Sequence, residues 1–283
     1  MSIEKTEKTY GSLPIHVIRY KPQVREHLLP LVLIHGSWGG AWMWKKYATY
    51  FAENGWEVYA LDLRGHGKSG GKVAGATMED YVADVHNVVE EALLGSSVII
   101  GHSMGGLVAL MYSRDYDPAA VIAINPSSPK EVMEETMKKE YKEEYTPQDA
   151  GMPKDPKKAM ETFPDLTKEQ IMSLKDMLGT ESGIARSERK AGISVPRSKL
   201  PKSALFIGGK LGESVPFGIG IETVRPMAEH YKKDVVEVPG ASHPGILMGE
   251  NWKTGAAAID EWLSIQFEAD FSNIDVDSFD VFE

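Results

Sequence analysis

Short runs of branched and aromatic apolar residues recur along the chain at 29–34, 56–61, 97–100, 120–124, 204–207 and 235–238. Each is too short for a helix and shows little alternation, the pattern of a strand covered on both faces. Between most of them, apolar residues return at three- and four-residue spacing, which predicts helices over 44–54, 78–94, 105–114, 221–231 and 252–267. Strand and helix in alternation imply βαβ units, hence an α/β fold with a mostly parallel central sheet and helices on both faces. Residues 10–20, "YGSLPIHVIRY", are expected to add an antiparallel edge strand.

The alternation stops between about 127 and 200. That interval is rich in Lys, Glu and Met, and "KEVMEETMKKEYKEEY" and "TKEQIMSLKDML" read as amphipathic helices, the second N-capped by Thr167. The expected organisation is therefore a core over 1–126, an inserted helical cap over 127–200, the rest of the core over 201–267, and an acidic tail over 268–283. Six of the 13 methionines fall in the cap, where thioethers suit either an adaptable binding wall or packing of cap on core. The tail alternates acids with Phe, Ile and Val and lacks any base; its composition favours a solvated segment, with an added edge strand as the alternative.

Composition narrows the partners. A formal charge of −10 argues against general affinity for nucleic acid or anionic membrane, since either needs clustered Lys and Arg. No apolar run approaches the roughly 20 residues of a membrane span, and "MSIEKTEKTYGSLPIHV" lacks the layout of a signal peptide, so a cytoplasmic location is expected. With no cysteine, thiol catalysis and cysteine-ligated metal are excluded.

The candidate chemistry begins at "VIIGHSMGGL", residues 98–107, where a strand runs into a helix within about four residues. A turn that tight strains its central residue, Ser103, and tolerates only small neighbours, which Gly101 and Gly105 supply. The G-x-S-x-G pattern lifts a serine hydroxyl clear of the sheet and aims the next backbone N–H at the same point. A serine needs a base within hydrogen-bond reach. His243, in "VVEVPGASHPGILM", lies just past the last predicted strand, at the sheet end where catalytic groups gather. An acyl-transfer site also needs donors for a developing oxyanion. The N–H of Met104 is one, and the loop "HGSWGGAWMW" offers that of Ser37 as the other. Trp38 and His102 are expected to touch substrate, and Trp42 and Trp44 stand either near the pocket mouth or in the core. His66 reads as a structural or pocket-rim residue.

"HGSWGG", "DLRGHGKS", "GHSMGG" and "GASHPG", in this order, resemble the α/β-hydrolase fold superfamily over about 10–125 and 200–267, leaving the cap unmatched. Residues 35–69 are similar to the esterase and hydroxynitrile-lyase branch. The resemblance implies Ser103 as nucleophile, His243 as base and Ser37 and Met104 as oxyanion donors. It also implies an acid in a stretch like G-x-x-D-x-x-V-P; "GGKLGESVP" puts Gly212 at that position and Glu213 one residue later. Glu213 is the expected acid, with Glu222, another loop or no acid as alternatives. The expected function is a serine esterase acting on small or medium apolar esters, without metal or organic cofactor, as a monomer or homodimer. Cleavage of C–C or C–CN bonds, or non-catalytic binding of a small ligand, are the alternatives.

Overall fold

The computed structural model describes residues 3–92, 94–211 and 219–267. Its centre is an eight-stranded sheet formed by β1 (Glu4–Tyr10), β2 (Ile15–Lys21), β3 (Leu31–Ile34), β4 (Val58–Leu61), β5 (Val98–His102), β6 (Ala120–Ile124), β9 (Ala204–Lys210) and β10 (Asp234–Pro239). The spatial order is β1-β2-β4-β3-β5-β6-β9-β10. The β1–β2 and β2–β4 pairs are antiparallel and all other pairs parallel, with Ile34 opposite Gly101 and His102 opposite Ile124. The expected edge strand over 10–20 is the second member of a hairpin. The true edge, "EKTEKTY", is exposed along nearly its whole length and carries no apolar face to reveal it; its charges blunt an edge that would otherwise invite pairing.

The short parallel strands are buried on both faces because helices cover both sides. α2 (Met78–Glu91), α3 (Met104–Asp115) and α7 (Ile221–Tyr231) cover one face, and α1 (Lys45–Glu53), α8 (Gly245–Met248) and α9 (Trp252–Phe267) the other. Alternation along β3 feeds both layers: Val32 and Ile34 join the first core, Leu31 and Leu33 the second. Trp44 is fully buried in the second core, so it packs and does not line a mouth.

Between β6 and β9 the chain leaves the sheet. This excursion carries the two-residue strands β7 (Glu144–Tyr145) and β8 (Glu181–Ser182), which pair antiparallel, and the helices α4 (Pro156–Thr162), α5 (Lys168–Met177) and α6 (Gly183–Ala191). Thr167 caps α5 through a reciprocal pair with Gln170, as its sequence foretells. The helix expected over "KEVMEETMKKEYKEEY" does not form. Only a single turn, Lys130–Val132, precedes an irregular stretch up to β7. Residues 134–140 are all exposed, so no apolar stripe is buried to offset the cost of ordering a helix. Ala159, Phe163, Leu166, Ile171 and Leu174 give the excursion a small core of its own, against which Trp42 and Met248 pack.

Met137, Met160, Met172 and Met177 are exposed, so these four methionines form neither a binding wall nor an internal glue. Met152 is the one that borders a cavity of about 440 Å³ inside the excursion, together with Phe163, Ile171, Leu174 and Leu178. The expected tail, 268–283, lies outside the described residues.

Candidate active site

The turn after β5 has the geometry its glycines suggest. Ser103 adopts φ 58° and ψ −119°, a strained conformation for a residue with a side chain. A Cβ on Gly101 would fall 1.9 Å from the carbonyl oxygen of Gly105, and one on Gly105 would fall 2.4 Å from the carbonyl oxygens of both Ile34 and His35. Neither position has room for any other residue. The Ser103 N–H is held by the carbonyl of Ile124 in the neighbouring strand, and the Ser103 carbonyl accepts from Gly106 and from Ser127.

The Ser103 hydroxyl lies 3.0 Å from Nε2 of His243, 140 residues further along the chain. His243 sits in the turn between β10 and α8 and is 8% exposed. Burial lowers its pKa to about 4, outweighing the hydrogen bond between its ring and the Ile219 backbone. The ring is therefore neutral near pH 7, and its Nε2 lone pair faces the serine proton. His102, expected against substrate, is 2% exposed, and its Nε2–H donates to the His243 carbonyl at 2.9 Å. Burial beside His243 holds the His102 pKa well below the usual value. Its ring braces the histidine turn from beneath.

The first loop approaches the same point. A Cβ on Gly36 would lie 2.9 Å from the Cβ of Ser103, and the Ser37 hydroxyl contacts the Met104 sulfur at 3.4 Å. The backbone N–H groups of Ser37 and Met104 have no protein acceptor among the described residues. Two donors beside one hydroxyl are the arrangement that can receive a developing oxyanion. His35 fixes the loop: Nδ1–H donates to the Gly36 carbonyl and Nε2 accepts from Leu63 N–H. Burial, reinforced by His66, lowers the His35 pKa to about 4, which keeps the neutral ring needed for both bonds. Trp38, with φ 64°, donates its indole N–H to the Tyr145 carbonyl and meets the Tyr145 ring edge to face.

Glu213 and Gly212 fall within 212–218, outside the described residues. Glu222, the alternative acid, is exposed on the first turn of α7.

Several groups have no local sequence signal. Asp165, between α4 and α5, is 8% exposed and accepts the Ser242 N–H at 2.8 Å, one residue from His243. A Cβ on Gly245 would collide with the same carboxylate at 1.8 Å. Glu181 of β8 is fully buried: its carboxylate accepts from the Tyr81 hydroxyl and the Ser182 N–H and lies 3.4 Å from Nε2 of His66. Burial alone would raise the Glu181 pKa, but the charges of His66 and Arg189 and the Tyr81 hydroxyl bring it down to about 2. Burial likewise opposes the charge on His66, and Glu181 outweighs it, leaving the His66 pKa raised. His66 is thus structural, as its glycine-rich turn suggests, but its partner lies 115 residues away in sequence. Only the fold brings them together.

The α/β-hydrolase family model matches residues 31–258. Over 107 residues the chain is 37% identical to a non-heme chloroperoxidase of Burkholderia pyrrocinia, covering 38% of each chain. Over 91 residues it is 37% identical to a monoacylglycerol lipase of Mycolicibacterium smegmatis, covering 30% of this chain and 32% of that one. The chain thus matches well under half the length of these curated relatives. A thermophilic esterase from Thermogutta terrifontis superposes with a TM-score of 0.69 at 20% identity, over 93% of this chain and 99% of that one. In the described residues no helix is long and apolar enough to cross a membrane. A family match spanning most of the chain, together with the strand order and the turn at Ser103, leads to one conclusion: the chain belongs to the alpha/beta hydrolase family.

Proposed function

We propose that the protein is a serine hydrolase that cleaves carboxylic esters through an acyl-enzyme. The observation that carries this reading is the strained Ser103 with its hydroxyl 3.0 Å from a buried, neutral His243. In the first step Ser103 Oγ attacks the ester carbonyl while His243 Nε2 takes the hydroxyl proton. The carbonyl oxygen becomes negative against the N–H groups of Ser37 and Met104. The tetrahedral adduct then collapses, His243 returns the proton to the leaving alcohol, and the acyl group stays on Ser103. Water enters, His243 takes its proton, and hydrolysis of the acyl-enzyme restores the free serine. Glu213 is the residue assigned to orient and charge-balance His243, Trp38 lines the substrate space, and residues 127–200 roof it as a cap.

The curated relatives support ester chemistry by their names, which include a bifunctional esterase/perhydrolase of Acinetobacter calcoaceticus, 35% identical over 94 residues. The test is labelling with a fluorophosphonate alongside hydrolysis of short p-nitrophenyl esters. Wild-type protein should be labelled at Ser103 and should turn the esters over; Ser103→Ala should lose both while keeping its thermal transition. Labelling at another serine, or turnover by Ser103→Ala, refutes the assignment.

A further inference from the structure

Arg189, on α6, reaches from the excursion toward the nucleophile. Its Nη1 lies 3.5 Å from the Ser127 hydroxyl, and the Ser127 N–H is bonded to the Ser103 carbonyl. On the other side its Nη2 donates to the Tyr145 hydroxyl at 2.7 Å, and the Tyr145 ring packs on Trp38 beside the oxyanion loop. The guanidinium therefore links Ser127, whose backbone is bonded to that of Ser103, to Tyr145, whose ring packs on Trp38. Its Nε donates to the Ala185 carbonyl, one helical turn back. These bonds occupy three of the five N–H donors of a guanidinium. Both hydroxyl partners are neutral. Arg186 adds a second positive charge nearby, stacked 4.3 Å from the Tyr145 ring centroid.

The acid that faces Arg189 is Glu181, and that carboxylate is already shared. It accepts from Tyr81 and Ser182 and pairs with His66, so one buried carboxylate serves two cationic groups. A half-buried guanidinium with spare donors, neutral bonded partners and a shared counter-charge is an incomplete arrangement; a second carboxylate would complete it. Neither Ser127 nor Tyr145 would be displaced, since each hydroxyl has a lone pair and a proton with which to join the same anion.

We propose that the substrates are esters that themselves carry a carboxylate, held by Arg189 together with the Ser127 and Tyr145 hydroxyls. This rests on the ester-hydrolase reading and names the substrate class of the same site. The carboxylate can sit on the acyl or on the alcohol portion, and the chemistry at Arg189 is the same for both.

The experiment compares length-matched pairs: monomethyl adipate against methyl hexanoate for the acyl side, and 4-acetoxybenzoate against phenyl acetate for the alcohol side, followed by pH-stat. Wild-type protein should favour the carboxylate-bearing member of one pair by at least about tenfold in kcat/KM, mainly through KM. In Arg189→Met that ratio should fall about 10- to 100-fold, the worth of a charge-assisted hydrogen-bond pair, and Arg189→Lys should recover part of it. Taking a ratio cancels any general damage from the substitution. Glutarate binding to Ser103→Ala by calorimetry, and its loss when Arg189→Met is added, reads the anion site without turnover. If no ester is cleaved but glutarate binds through Arg189, the hydrolase reading fails and the anion site stands. A wild-type preference for the neutral member of both pairs, an unchanged ratio in Arg189→Met, or no glutarate binding overturns the proposal.

Discussion

Replacing Glu181 by Gln removes one charge and almost nothing else. The amide oxygen can still accept from Tyr81 and Ser182, and the amide N–H₂ can donate to Nε2 of a neutral His66, whose Nδ1–H is directed to the Arg64 carbonyl. What is lost is the counter-charge for His66, itself only 4% exposed, and for the half-buried Arg189, at a carboxylate with no solvent exposure. Leaving a buried cation without its partner costs about 3–5 kcal/mol, and the escape open to His66, deprotonation, places the expected loss near the lower end, about 3 kcal/mol. For a protein of this size that corresponds to a fall in Tm of about 6–12 °C. The pH dependence adds a signature. The Glu181 pKa is about 2 when folded and near the ordinary glutamate value of 4.5 when unfolded. Between those values the unfolded state binds more protons, so stability rises with pH. The advantage of wild type over Glu181→Gln should be full just above about pH 4.5, shrink as pH falls toward 2, and lose the His66 share as pH rises through that ring's raised pKa. Differential scanning calorimetry across that range is the assay. A Tm within about 2 °C of wild type at pH 7, or a difference that does not change with pH, refutes the argument that the charge matters.

The remaining predictions concern the reacting groups. Because His243 must be neutral to accept the serine proton and its pKa is about 4, kcat/KM should hold a plateau down to about pH 5 and fall tenfold per unit below pH 4; an acid limb at pH 6.5 or above would refute this. Glu213→Gln should lower kcat at least roughly a hundredfold with little change in KM, and near-normal turnover would remove Glu213 from the mechanism. Gly105→Ala, whose Cβ meets two main-chain oxygens at 2.4 Å, should cost upwards of about 2 kcal/mol in urea unfolding and slow labelling of Ser103; a wild-type midpoint would show that the turn can yield.

The sequence made legible those parts of the molecule whose constraints are local. Strands such as Ala120–Ile124 and the run beginning at Val98 are apolar at every position because both faces are covered, and that is visible without a partner. The elbow is legible because the clash at Gly101 is with a residue only four positions on. The turn that brings His243 to Ser103 was legible as a candidate because the loop after a terminal strand lies at the sheet end where side chains converge. β1 was hidden, since a strand with one neighbour and no buried face needs no apolar residue. The stretch 130–145 misled because Lys and Glu favour helix in isolation, whereas residues 134–140 within it are all exposed and have nothing to pack against. Glu181, Arg189 and Asp165 were unreadable for the opposite reason: the partners that other elements bring to them are 44 to 115 residues away, and nothing in the neighbouring residues marks them as engaged.

Asp165 ties the excursion to the turn that carries the base. Its carboxylate holds the Ser242 N–H, its carbonyl accepts from Glu250, and Gly245 is a glycine because that carboxylate occupies the space of a side chain. The segment over 127–200 is thus not a lid laid over a finished machine. It is a fixed buttress to the hinge on which His243 hangs, so the part around Asp165 must stay seated whenever the serine and histidine are aligned. Cutting the excursion away would remove the carboxylate that holds the turn carrying His243.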